Sequence, residues 1–207
     1  MDTSQRAAPG LRERKKQATR EALSWAAIRL TVERGLENVL VEDIAAEAGV
    51  SPRTFNNYFS GKAEAIAARH LDRGLRVADA LRARPADEPL WPAVVAAVLS
   101  EAGGEESVPD PGWAAGVRLM VAEPALQGEM LKAAAVAAER LAVAVAERTG
   151  LDDGRSMYPE LVAAAVGAAT QVATARWLRV GASASMAALL REALEQLAAG
   201  LPEPGGR

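Results

Sequence analysis

The chain has 207 residues, of which 50% are hydrophobic, 25% charged and 4% aromatic, with no cysteine, one histidine and a formal net charge of −3. That length and apolar content suit a packed core and exclude disorder throughout, while the absence of thiols excludes disulfides, thiolate nucleophiles and thiolate zinc sites and fits a reducing cytoplasm. The charge is unevenly divided: residues 1–62 carry 10 Lys/Arg against 8 Asp/Glu and residues 63–207 carry 14 against 19, so positive potential gathers at the N-terminal end.

Residues 1–10 contain Pro9 and Gly10 and lack helical periodicity, which predicts a tail. Among residues 5–20, Arg6, Arg12, Arg14, Lys15, Lys16 and Arg20 face only Glu13, a basic run that is either a solvated tail or an arm reaching phosphates or a groove. The first helix runs from there to about Arg34. Leu23, Ala26, Ala27 and Leu30 recur at i, i+3, i+4 and i+7, the stripe that packs, and Gly35 closes the helix. Trp25 lies off that stripe and is read as packing over a neighbouring helix or a domain edge.

The most informative stretch is 41–62, VEDIAAEAGVSPRTFNNYFSGK. Ile44, Ala45 and Ala48 share one face of a short helix, Gly49 tolerates positive φ, and a further helix begins at once with Ser51 as N-cap and Pro52 at the first helical position. Phe55 and Phe59 then share one face, leaving Arg53 with Asn57 and Thr54 with Tyr58 as two polar stripes turned away from it. Arginine can grip guanine bidentately, asparagine can do the same to adenine, and Ser, Thr, Tyr and Lys can hold phosphates, a part that suits Lys62 just beyond the helix. The competing reading is a helical hairpin whose polar face is merely wet.

From about Ala63 to Ala83 one long helix continues, ended by Arg84-Pro85 and carrying His70, which is read as structural or solvated because no metal-ligand partners accompany it. A helix at about 90–102 follows, then an exposed acidic loop at 103–112, a helix beginning near Trp113, and a helix from Pro124 to Thr149 stopped by Gly150. The last of these has an expected inner face of alanines with Leu126, Met130, Leu131, Leu141 and Val145. Two more helices, about 156–180 and 185–199, finish the chain. In the first, Leu161, Ala164, Ala165, Gly167, Ala168 and Val172 cover a wider apolar arc than one packing partner needs, which implies a second subunit. No strand is expected, so the class is all-α with about nine helices: a tail at 1–10, a helix-turn-helix domain at 11–62, a larger helical domain at 63–200 and a tail at 201–207. No signal peptide is expected, and Glu, Arg, Lys or Gln interrupt the apolar stretches before they could span a bilayer, so no membrane span is expected either.

An enzyme would need a nucleophile, a metal cluster or paired carboxylates in a pocket, and one histidine, no cysteine and surface-spaced acids supply none, nor any cofactor site. The run from Arg20 to Lys62, with TREAL at its head, VEDIAAEAGVSPRTF through the turn and YFSGKAEAI behind it, resembles the N-terminal domain of the tetracycline-repressor (TetR) family of bacterial regulators. The resemblance implies double-stranded operator DNA as partner, a recognition helix at Pro52–Tyr58, and DNA contacts from Thr19, Arg20, Ser51, Arg53, Thr54, Asn56, Asn57, Tyr58 and Lys62. It also implies a homodimer built through the last two helices and a small-molecule effector. Three departures stand out: Leu40 where a threonine usually starts the second helix, Thr31 for a core phenylalanine, and the Asn56-Asn57 pair for an aromatic or basic one. The segments RLMVAEPALQ, AERTG and ARWL are similar to the actinobacterial branch with an acyl-CoA-like ligand domain, the mycofactocin-system regulator type. That likeness implies an acyl chain among Trp113, Val117, Met120, Leu131 and Trp177, with Arg118 or Arg176 meeting phosphates or a carbonyl. The same apolar set is otherwise plain core, a neutral lipophilic effector is the alternative ligand, and a helix-turn-helix used only to bind protein is the alternative class.

Overall fold

A computed structural model describes residues 10–102, 111–151, 154–180 and 184–201, with the backbone alone for 111–113. The expected acidic loop and most of both expected tails lie outside the described residues. Among the described residues the chain is all-helical: α1 Leu11–Arg34, α2 Val41–Glu47, α3 Pro52–Asn56, α4 Lys62–Ala83, α5 Leu90–Ser100, α6 Pro111–Ala122, α7 Pro124–Thr149, α8 Tyr158–Val180 and α9 Met186–Ala198, with a 3-10 turn at Leu36–Asn38.

Two compact units divide at Arg69/His70, inside α4. The expected boundary at residue 62 falls short because the first turns of α4 belong to the N-terminal core: Ala65 and Ile66 are fully buried, and the buried Ser24 hydroxyl donates to Ala65 O at 2.6 Å. In this unit Leu23, Ala27 and Leu30 of α1 pack with Val39, Ile44, Ala45, Phe55, Phe59 and Ile66, all nearly inaccessible. Thr31 is buried as well, and its hydroxyl donates to Ala27 O at 2.7 Å, so the polar replacement leaves no orphaned group. Glycines end or bend the backbone where an L side chain would strain: Gly35 at φ 81° closes α1 and Gly49 at φ 70° makes the turn into α3.

The C-terminal unit is built on an alanine-rich core in which Leu81, Val94, Leu126, Val145, Trp177 and Leu194 are the largest fully buried side chains. Small residues let helices approach closely, most of all at Gly74 of α4, where an added Cβ would stand 2.4 Å from Ala137 Cβ of α7. Gly150 at φ 70° stops α7, and Ser185 caps α9 by accepting from Ala188 N at 3.3 Å. The α4–α5 turn is clamped by Arg148, whose guanidinium donates to Pro85 O and Glu88 O, each at 2.6 Å.

The expected inner face of α7 needs correction. The buried positions are Leu126, Ala133, Leu141, Ala142, Ala144 and Val145, with Met130 half-buried, but Leu131 is 72% exposed: in the first half of α7 only Leu126 and Ala133 are buried, and Leu131 lies on the far side of the helix from both. Although Gln171 interrupts it, α8 is long and apolar enough to cross a membrane by length and composition alone. A third of it is buried within the C-terminal unit, where Val162, Ala163, Val166, Ala169, Ala173 and Trp177 face inward.

Candidate nucleic-acid interface

Ser51 has the extended backbone of an N-cap, and its Oγ accepts from Thr54 N at 3.1 Å while lying 2.9 Å from the Thr54 hydroxyl. Pro52 at the first position loses no needed donor. The start of α3 is therefore locked, but its extent is shorter than Pro52–Tyr58. After Asn56 the chain tightens, with Asn57 N bonded to Thr54 O and Tyr58 N to Phe55 O, an i to i+3 pattern.

Phe55 and Phe59 are buried at 0% and 2% exposure, with ring centroids 5.7 Å apart and planes tilted by 52°. Anchoring one side in this way turns the other outward: Arg53, Asn56 and Asn57 are exposed, and Thr54 and Tyr58 are half-buried at the edges. The three exposed side chains have the donors and acceptors that read base edges in a major groove. Arg20 of α1 reaches the same neighbourhood, its guanidinium 4.8 Å from the Phe59 ring centroid, and the adjacent Thr19 hydroxyl donates to Lys15 O at 3.0 Å.

Lys62 also serves the fold. Its Nζ donates to Leu36 O at 2.6 Å and Val39 O at 2.9 Å, closing the loop ahead of α2. Sequence reasoning missed this role, although a cation in the first turn of a helix opposes the macrodipole and so needs a second reason to be there. Glu64 was missed likewise: its carboxylate accepts from both the N–H and the hydroxyl of Ser60, each at 2.7 Å, fixing the entry to α4. At α2 no side chain caps the helix start. Asp43 Oδ2 accepts from Leu40 N at 3.0 Å, but Leu40 offers nothing in return and stands 60% exposed. Trp25 is 46% exposed, with the Arg69 guanidinium 3.7 Å from its ring centroid.

The effector residues suggested by the sequence divide between core and surface. Val117 and Trp177 are buried in the C-terminal core, Met120 packs against it, and the indole N–H of Trp177 is bonded to Ala184 O at 3.0 Å. Arg118, Leu131 and Arg176 are exposed, and the Trp113 side chain lies outside the described residues. His70 and Arg73 on α4 are half-buried. Burial lowers the pKa of both, with Arg73 adding to the effect on His70, and Arg76 to that on Arg73 against an opposing Glu101. Among the described residues no group of three or more His, Cys, Asp or Glu could hold a metal ion.

A short capped helix held by two phenylalanines, with bidentate-capable side chains on its free side and a second helix before the turn, defines a helix-turn-helix DNA-binding protein. The description "Bacterial regulatory proteins, tetR family" matches residues 25–68, and "MftR C-terminal domain" matches residues 88–202, more than half of the chain. The HTH-type transcriptional regulator TcmR of Streptomyces glaucescens is 33% identical over 174 residues, covering 82% of this chain and 77% of its own length. This chain belongs to the TetR family of transcriptional regulators. Solved structures share its fold: the fatty acid degradation regulator FadR from Bacillus halodurans at 16% identity and TM-score 0.60, over 91% of this chain and 97% of that one, and the SmeT–triclosan complex at 19% and 0.61, over 92% and 100%. SmeT is the repressor of a Stenotrophomonas maltophilia multidrug efflux pump.

Proposed function

We propose that the chain is a homodimeric, cytoplasmic repressor that reads a palindromic operator with two copies of α3 and leaves it when a lipophilic effector binds the C-terminal unit. The observation that carries the DNA half is the exposure of Arg53, Asn56 and Asn57 opposite the buried Phe55 and Phe59. One helix of this length reads few base pairs, and two related by a two-fold axis read enough for a specific site. The second copy fits the outward face of α8, where Leu161 and Val172 are each 61% exposed and Ala164, Gly167 and Ala168 lie between them. Contacts to phosphate fall to Thr19, Arg20, Ser51, Thr54, Tyr58 and the remaining proton of Lys62.

A long-chain acyl-CoA is the effector we favour, because the C-terminal half matches the MftR description and the fold is that of a fatty acid degradation regulator. Its chain would lodge beside Val117, Met120 and Trp177, with Arg118, Leu131 and Arg176 nearer the surface and Trp113 as a further contact. The exposure of both arginines favours a second reading, a neutral lipophilic effector of the kind SmeT binds as triclosan. A differential affinity of about 100-fold between DNA-binding and released conformations corresponds to about 2.7 kcal/mol of coupling, enough to switch a promoter. Titrating long-chain acyl-CoA, the matching free fatty acid and triclosan into a protein–operator complex, followed by fluorescence anisotropy, separates these readings. Release by the thioester alone supports acyl-CoA, release by triclosan alone supports the neutral ligand, and indifference to all three removes both.

A further inference from the structure

The stripe of α1 that packs the N-terminal core does not stop where the core stops. Leu23, Ala26, Ala27 and Leu30 are buried, and stepping back along the helix by three and four residues leads to Arg20, Thr19, Lys16, Lys15 and Arg12. These five positions stand at i, i+3, i+4, i+7 and i+8 from Arg12, so they occupy one arc that spans roughly 12 Å at about 1.5 Å per residue. The chain is helical from Leu11, so this arc is a fixed face rather than a loose tail. Gln17 and Glu21 lie on a neighbouring stripe, tied by a bond from Gln17 Nε2 to Glu21 Oε1 at 2.9 Å, and Glu13 stands at the border between that stripe and the cationic arc. Arg12, Lys15 and Lys16 are exposed and take part in no ion pair among the described residues.

Apolar side chains thus give way to cations on the same helical face at the point where the unit's core ends. A helix face that is apolar over its own domain and cationic beyond it is built for an anionic surface. Arg20, the innermost of these cations, lies against Phe59, which follows α3 in the chain, so the stripe begins beside the segment that carries the base-reading side chains.

We propose that Arg12, Lys15 and Lys16 form a second DNA site, a backbone clamp that holds phosphates flanking the base pairs read by α3. It deepens the DNA-binding reading and rests on it. The clamp adds affinity and salt dependence without sequence preference, since phosphate contacts position a protein and carry no base information.

The test uses the full chain and a duplex selected by the wild-type protein from a random library carried on long flanks. Binding is measured by anisotropy over a range of salt for the wild type, for Arg12→Gln/Lys15→Gln/Lys16→Gln, and for Arg14→Gln, which removes a cation from outside the arc. Glutamine keeps helix propensity, and circular dichroism checks that helicity is unchanged. The slope of log affinity against log salt should shrink by about 0.9 for each lost phosphate, roughly 2–3 per protomer for the triple variant. Arg14→Gln should leave it nearly unchanged, and trimming the flanks should erase the difference between the triple variant and the wild type. An unchanged slope in the triple variant, or an equal loss per charge from Arg14→Gln, overturns the clamp while leaving the DNA-binding reading in place. Failure of the wild type to select any duplex overturns that reading and the clamp with it. Vesicles of anionic phospholipid are the control: binding to them that the triple variant loses, with its DNA slope intact, would assign the stripe to membranes instead.

Discussion

Leu40 is the residue at which this chain gives up stability that its backbone is arranged to receive. Its φ of −98° and ψ of 158° are those of an N-cap, and Asp43 supplies half of a capping box by accepting from Leu40 N at 3.0 Å. The missing half is a side-chain acceptor for the N–H of Asp43. Leu40→Thr supplies one, and Leu40→Val has nearly the same shape without it, so the difference between the two variants isolates the hydroxyl. An N-cap hydroxyl is worth about 1 kcal/mol, within roughly 0.5–2. Because Leu40 is 60% exposed, either replacement forfeits only part of the roughly 1.5–3 kcal/mol that full burial of a leucine is worth, and threonine forfeits slightly more because a hydroxyl takes the place of one methyl. Urea unfolding followed by circular dichroism should therefore place Leu40→Thr about 1 kcal/mol above Leu40→Val. Equal midpoints, or a lower one for threonine, would refute the claim that the start of α2 lacks a cap.

Three further outcomes follow from the packing. Arg148→Met removes the charge-assisted bonds to Pro85 O and Glu88 O and should cost about 2–3 kcal/mol in urea unfolding, with Arg148→Lys recovering part of it. Gly74→Ala gains about 1 kcal/mol of helix propensity but drives a methyl into Ala137, so it should destabilise by about 1–3 kcal/mol net, and adding Ala137→Gly should restore most of the loss in a double-mutant cycle. The folded state binds a proton at His70 more weakly than the unfolded chain, whose pKa is the ordinary 6.5. Stability from this group is therefore complete above about pH 6.5 and declines as the pH falls below it, until the lowered folded pKa is passed. Unfolding measured from pH 8 to 5 should show a shallower decline for His70→Gln than for the wild type.

What the sequence disclosed follows from how local each signal is. The cap at Ser51, the proline at Pro52, the glycine stops at Gly35 and Gly150, and the Phe55/Phe59 pair depend on residues within one or two turns, and the helices and the outward side of α3 could be read from them. The loop-closing part of Lys62 could not, because its carbonyl partners at Leu36 and Val39 lie 26 and 23 residues away. Leu131 was misplaced because an alanine-rich helix has weak amphipathic contrast: where Ala lines both the inside and the outside, one leucine does not define a face. The division inside α4 was hidden for a related reason, since helical periodicity runs unbroken through Arg69 and His70 while the side chains change cores.

The central claim is that α3 reads base edges through Arg53. Its most direct test is competition anisotropy of wild-type protein and Arg53→Ala on the selected duplex, on the same duplex with each half-site base pair substituted in turn, and on random DNA. Wild-type binding should weaken by about 1–3 kcal/mol when the base pair facing Arg53 is changed, and Arg53→Ala should lose a similar amount and become indifferent to that pair alone. If Arg53→Ala bound every duplex as the wild type does, with each substitution penalty intact, α3 would not be the element that reads the DNA.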